Sequence, residues 1–186
     1  MAGEQSVLNG WEKICKARSG SKYLRTGEDI FDVYWQTLCA GQKPQGFEAA
    51  KLEFLAWDRC VRKPSSFVPT SRFLKFTHGI LSAPVMLATG VAVVTSGMPV
   101  KEIMSFRSKM TVATQRRMIK TKKGLIGLAP KLARKGDFIC LFKGGMVPFV
   151  MRKVKSRWVL IGDSYLHGIM HGEAFEETKC ETMWIQ

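Results

Sequence analysis

The stretch Gly124-Leu-Ile-Gly127-Leu-Ala-Pro130, followed by Gly136-Asp137-Phe138-Ile-Cys140-Leu-Phe142-Lys-Gly144-Gly145-Met-Val147-Pro148-Phe149-Val-Met151-Arg152 and by Trp158-Val-Leu-Ile-Gly162-Asp-Ser-Tyr165-Leu-His167-Gly168-Ile-Met-His171-Gly172-Glu173, decides the architecture. Short apolar segments alternate with glycine-bearing turns. Met118–Thr121 and Leu125–Leu128 read as strands paired around the turn Lys122-Lys123-Gly124. Gly136-Asp137 opens a strand over Phe138–Phe142, and Val147–Arg152 returns against it. Gly144-Gly145 supplies the positive φ of a tight hairpin, with Gly145 as the residue a valine would strain. Pro148 marks an edge or a bulge, and Trp158–Ile161 adds a fifth strand. Strands this short bury their apolar faces best as a curled antiparallel sheet or a small, partly open barrel. The tail from Glu173 to Gln186 is placed to cover one edge.

Upstream the period changes to that of a helix. Over Glu28–Ala40, Ile30, Val33, Tyr34, Thr37 and Leu38 fall on one stripe, Asp29 is placed as the cap, and Gly41 is placed to end the helix in a left-handed conformation. A second helix fits Phe47–Val61, with Phe47, Ala50, Phe54, Trp57 and Val61 on one side and Pro64 as its stop. Between Phe76 and Val100 there is no Lys, Arg, Asp or Glu. That length could cross a bilayer, but Gly79, Pro84, Gly90, Gly97 and Pro99 suit a broken or partly extended connector better, and Gly90–Val94 has the β-branched content of a buried strand. Pro99 then favours a helix start, and Ile103, Phe106, Met110 and Ala113 predict a helix over Val100–Arg117. The expected class is α+β: a helical N-terminal half (1–64), an apolar, basic-flanked connector (65–99), and a helix plus a small antiparallel, partly open β-barrel-like sheet (100–186).

Charge is unevenly placed. Residues 1–60 carry 8 cations and 8 acids, residues 61–135 carry 15 cations and only Glu102, and residues 136–186 carry 6 of each. The whole net charge of +14 therefore sits in the middle. Such a block can attract the phosphates of nucleic acid or anionic lipid, or form a solvated face. Arg116, Arg117, Lys120, Lys122 and Lys123 are its candidate anion-binding residues. The five cysteines (Cys15, Cys39, Cys60, Cys140, Cys180) form no Cys-x-x-Cys pair, which argues against a disulfide scaffold or zinc ribbon. With no secretory pattern at the start, they point to a reducing, cytoplasmic setting, with membrane association only through 76–100.

Arg116-Arg117-Met118-Ile119-Lys120-Thr121, Gly124-x-x-Gly127-Leu-Ala-Pro130, Gly136-Asp137, Gly144-Gly145, Val147-Pro148-Phe149-Val150-Met151-Arg152 and Gly162-Asp163-x-Tyr165-x-His167-Gly168-Ile169-Met170-x-Gly172-Glu173 resemble, in order and spacing over about sixty residues, the C-terminal region of fungal heterokaryon-incompatibility proteins. Asp32-Val-Tyr-Trp35-Gln-Thr37-Leu38 resembles a helical block upstream of that region. The resemblance implies a part in non-self recognition after hyphal fusion, linked to regulated cell death. Family members usually begin with a large N-terminal incompatibility domain. Residues 1–30 have no room for it, so this chain is expected to be a detached C-terminal portion, a short paralogue or a truncated gene product, and the killing activity is not carried over to it. His171 stands where the family more often has an acidic residue.

Chemistry-bearing groups are few. His167, His171 and Glu173 are the metal candidates, but Gly168 and Gly172 argue against a helix that would put them on one face, and a locked turn explains them as well. Ser164 lies near Asp163 and His167 without a nucleophile-elbow pattern, Cys140 sits in an alternating strand, and Gly124/Gly127 lacks the Gly-Lys-Ser/Thr ending of a phosphate loop. No cofactor and no catalysis are expected. The expected function is an interaction or regulatory module with a protein partner. The alternative is a basic module that binds nucleic acid or an anionic membrane.

Overall fold

The computed structural model describes residues 2–62 and 99–185. Expectations for 76–98 and for Pro64 lie outside these residues. The described fold is α+β, with four helices followed by two small antiparallel sheets. The helices are α1 (Ala2–Cys15), α2 (Ile30–Leu38), α3 (Phe47–Arg62) and α4 (Val100–Lys109). The strands are β1 (Arg116–Lys120), β2 (Ile126–Pro130), β3 (Phe138–Cys140), β4 (Phe149–Val154), β5 (Arg157–Asp163) and β6 (Tyr165–Leu166). One compact unit combines residues 1–44 with 109–186, and another comprises 45–108. The sequence reading had divided the chain at 64 and 99 instead.

In the first unit, α2 forms because Asp29 accepts the Phe31 N–H at 2.9 Å, a cap of the kind that contributes about 1 kcal/mol. Its apolar stripe is buried, and so are Trp35 and Gln36. The helix closes with the Gly41 N–H on the Gln36 carbonyl (2.8 Å) and the Ala40 N–H on Thr37 (3.0 Å). The left-handed turn starts at Ala40 (φ 47°) and continues through Gly41, one residue earlier than expected. α1 was not anticipated, because Gly3 and Gly10 interrupt its pattern; it packs on β1, and α2 packs on β2.

In the second unit, Phe54, Trp57 and Phe106 form an aromatic cluster with ring centroids 5.2 to 6.1 Å apart. Glu53 accepts the Ser105 hydroxyl at 2.8 Å. α4 ends at Lys109, earlier than the expected Arg117. A 3₁₀ turn over Met110–Ala113, extended Thr114 and left-handed Gln115 (φ 63°) follow it. The β-branched Thr111, Val112 and Thr114 hold helix poorly, while Arg116 and Arg117 gain sheet partners.

The sheets have the orders β1-β2-β6 and β3-β4-β5. The β1–β2 hairpin turns through Gly124 (φ 84°), with Arg116 opposite Pro130 and Lys120 opposite Ile126. β3 is shorter than expected, and an eight-residue loop, Leu141–Pro148, replaces a tight hairpin before β4. In that loop Gly144, not Gly145, has the positive φ (78°). The register breaks where Val150 faces Gly162 and Met151 faces Leu160, leaving Ile161 as a bulge. Past the bulge, Gly162 adopts φ 146° and lets Pro130 Cγ approach where a Cβ would lie only 2.9 Å away. Ser164 then anchors on the Pro148 carbonyl through its N–H (2.8 Å) and hydroxyl (3.0 Å), and the chain enters the other sheet as β6. Ala129, Ala133 and Val150, with Ile119, Ile139 and Ile161 packed around them, draw one core from both sheets. Closure is partial, giving the open barrel.

Candidate functional site

The loop Ser21–Ile30 is tied by Tyr23 N–H to Glu28 O (2.8 Å) and Ile30 N–H to Ser21 O (3.0 Å), so it presents Tyr23, Arg25, Thr26 and Glu28 together. It packs on Gly168, where a Cβ would stand 2.9 Å from Thr26 and 3.0 Å from Arg25. β6 meanwhile pairs with β2, Gly127 facing Leu166 and Leu128 facing Tyr165.

Between loop and strand lies a partly buried polar chain. His167 Nε2 is 2.7 Å from Glu28 Oε2, and His167 Nδ1 is 3.0 Å from the Tyr165 hydroxyl. With Glu28 ionised, Nε2–H donates to the carboxylate, which leaves Nδ1 and the Tyr165 hydroxyl as each other's partners. Gln36 donates to Glu28 Oε1 at 3.0 Å, and Thr26 donates to Oε2. The Ile126 N–H donates to the Tyr23 hydroxyl (3.2 Å), which donates to the His167 carbonyl (3.1 Å), while the His167 N–H donates to the Ile126 carbonyl (2.9 Å). Burial would raise the Glu28 carboxyl, but the hydrogen bonds from Thr26, Gln36 and His167 and the attraction to His167 prevail and hold it at about 2. Burial pushes the Tyr165 phenol well above its ordinary value, and the negative charge of Glu28 adds to the effect. Burial also raises the thiols of Cys39 and Cys140 and takes Cys15 to about 12, the reverse of an activated nucleophile.

The residues singled out from sequence scatter around this chain. Gly124, Gly136, Gly144 and Gly172 sit in turns, and Gly127 stands where no Cβ fits. Asp137 accepts Arg152 Nε (2.8 Å) and Nη2 (2.9 Å), and Arg152 also reaches the Leu132 carbonyl. Pro130, Gly162 and Pro148 build the corner between the sheets. His171 and Glu173 are joined to each other instead: Glu173 Oε2 accepts the His171 backbone N–H at 2.7 Å. Among the described residues no three His, Cys, Asp or Glu groups assemble to hold a metal. Arg116 pairs with Asp163 at 2.6 Å and Arg117 donates to the Ala133 carbonyl at 2.6 Å, whereas Lys120, Lys122 and Lys123 are exposed. A cavity of about 260 Å³ beside the Leu141–Pro148 loop has walls of apolar residues and glycines, among them Phe142, Met146, Ile169 and Phe175. Among the described residues no helix is long and apolar enough to cross a membrane.

Two three-stranded sheets joined at Ser164, with the glycine blocks at their turns and corner, are the frame on which the comparison with known proteins falls. Residues 96–185 match the Het-6 beta-barrel domain family. Over 69 residues the chain is 32% identical to heterokaryon incompatibility protein 6, OR allele, of Neurospora crassa, an alignment covering 35% of this chain and 10% of that protein. The aligned part thus spans about a tenth of the curated relative's length. No solved structure matches the chain. The resemblance to the C-terminal region of fungal heterokaryon-incompatibility proteins holds, and the region matched to the Het-6 barrel contains β1 to β6. Tyr23, Glu28 and Gln36 lie outside that region, yet they complete the polar chain around His167. Sequence reasoning missed Tyr23 and Glu28. The available signal was a tyrosine and a glutamate in a short loop directly before a largely buried helix.

Proposed function

We propose that this chain is a non-catalytic recognition module in fungal non-self discrimination, acting in the cytoplasm on a protein partner and linked to regulated cell death. The similarity to the Neurospora incompatibility protein supports the biological setting. The carrying observation for a non-catalytic role is the saturation of the Glu28–His167–Tyr165 chain. Both ring nitrogens of His167 are occupied by side chains of the same molecule. An imidazole bonded on both nitrogens can still act as a base on its own partner, as in a Ser-His-Asp triad, but here that partner is the Tyr165 phenol, which burial holds well above its ordinary value. The apolar, glycine-lined cavity supplies no acid, base or nucleophile.

The test is expression of the chain in Neurospora crassa strains that carry the OR allele and in strains that carry another allele. Viability should fall in one background only, and Tyr165→Phe, which keeps the ring and removes the hydroxyl, should retain the effect. Equal viability in both backgrounds overturns the recognition reading. Loss of the effect in a folded Tyr165→Phe variant overturns the non-catalytic one.

A second reading rests on the exposed Lys120, Lys122 and Lys123 at the first hairpin. It is a basic module for nucleic acid or anionic membrane, and its signature is binding that weakens steeply with salt.

A further inference from the structure

The β4–β5 hairpin carries a different set of cations. Between Asp137 and Asp163 the sequence has no acidic residue and five cations. Two of these are consumed internally, Arg152 by Asp137 and Lys143 by Glu177. Lys153, Lys155 and Arg157 are exposed and form no ion pair among the described residues. They cluster because Val154 pairs with Arg157 and Lys153 with Trp158, leaving Lys155 and Ser156 as the turn. Lys155 holds φ 54°, a left-handed value at a position that glycine would occupy without strain. A cation is thus kept at the tip against the local preference of the backbone.

Apolar groups surround these charges. Val154 at the tip is 46% exposed on the face it shares with Arg157, and Leu160 on β5 is 46% exposed on the other face, with Lys153 and Trp158. The Trp158 N–H donates to the Trp184 carbonyl (3.1 Å), and Ile185 bridges Trp158 in parallel, so the tail lies along the β5 edge. There Trp184 is 82% exposed and Ile185 50% exposed. Lys153 Nζ stands 5.8 Å from the centroid of the Trp158 ring.

We propose that this hairpin and the tail beside it form a docking surface for an anionic lipid bilayer. The proposal rests on the second reading above and moves its surface from the first hairpin to this one. Uncompensated cations meet the negative surface potential, while exposed aliphatic side chains and tryptophan enter the headgroup–acyl boundary. Nucleic acid would use the cations but gain nothing from Val154, Leu160 and Ile185, since bases stack on rings rather than on aliphatic chains.

The experiment uses the whole chain and vesicles of phosphatidylcholine with about 30% phosphatidylserine, against phosphatidylcholine alone, at about 0.1 M and about 0.5 M salt. Tryptophan emission should shift to the blue with the anionic vesicles at low salt only. Each cation near such a surface adds about fivefold to partitioning, so K153Q/K155Q/R157Q should bind roughly a hundredfold more weakly. K120Q/K122Q/K123Q should keep most of the binding; its loss with the hairpin triple unaffected returns the surface to the first hairpin and overturns the proposal. Lys155→Gly relaxes the turn while removing one charge, so it should melt higher yet bind about fivefold more weakly. Equal binding to both vesicle types, or none to either, also overturns the proposal. So does an RNA oligonucleotide that binds more tightly than the vesicles and displaces them.

Discussion

His167 Nε2 sits 2.7 Å from the carboxylate of Glu28, a residue 139 positions earlier in the chain. The bond fixes the loop before α2 to the strand that joins the two sheets. It also makes the barrel dependent on residues outside the region that matches the Het-6 beta-barrel domain.

Acid should weaken this contact. The Glu28 carboxyl is held at about 2, below its unfolded value, so its stabilising contribution is full above about pH 4.5 and fades as pH falls toward 2. Partial exposure of Glu28 screens the contribution to about 1–2 kcal/mol. Urea unfolding of the wild type and of Glu28→Gln should differ near neutral pH and converge near pH 2. A constant difference across that window would contradict the assignment.

Tyr23→Phe tests the second tie between loop and sheet. Removing the hydroxyl strands the Ile126 N–H and takes one donor from the His167 carbonyl. The expected loss is about 1–3 kcal/mol, read as a lower urea midpoint with an unchanged slope.

Gly127→Ala should be far more damaging than its chemistry suggests. The added Cβ would stand 2.0 Å from the Tyr165 carbonyl oxygen and 3.0 Å from Leu166 Cα, both backbone atoms of β6. β2 and β6 would have to separate, and the variant should unfold or lose more than about 4 kcal/mol. Gly124→Ala, with open space around its left-handed backbone, should lose only about 1 kcal/mol. Thermal melts of the pair give the comparison.

Gly144 and Gly145 separate strain from crowding. Gly144→Val puts a β-branched residue at φ 78° in open space and should lose about 1–3 kcal/mol. At Gly145 the backbone needs no left-handed angle, and a Cβ meets the Phe142 carbonyl at 3.1 Å. Gly145→Ala should therefore cost less than Gly144→Val, the opposite of what the glycine pair suggests in sequence.

Local rules explain what could be read in advance. Asp29 and the stripe Ile30, Val33, Tyr34, Thr37 and Leu38 announce α2, because a cap and a helical face need only neighbouring residues. The hairpin through Gly124 was legible for the same reason. The end of α4 was not, since Met110 and Ala113 continue the helical spacing and only the pairing of β1 with β2 takes the next segment into the sheet. Nor was the Ile161 bulge, which depends on register with β4. The polar chain was least legible of all. Its members are ordinary residues whose meaning arises only when Glu28 and His167 meet.

That meeting has a cost in time during synthesis. When Pro44 leaves the ribosome, more than a hundred residues remain before Tyr165 and Leu166 can pair with β2, roughly ten seconds at about 5–20 residues per second. Until then the β1–β2 hairpin on which α2 lies lacks its third strand, and Glu28 lacks its partner His167. A message cut short before Tyr165 would therefore deliver α2 and the first hairpin without the Glu28–His167 bond that ties the loop to the sheet.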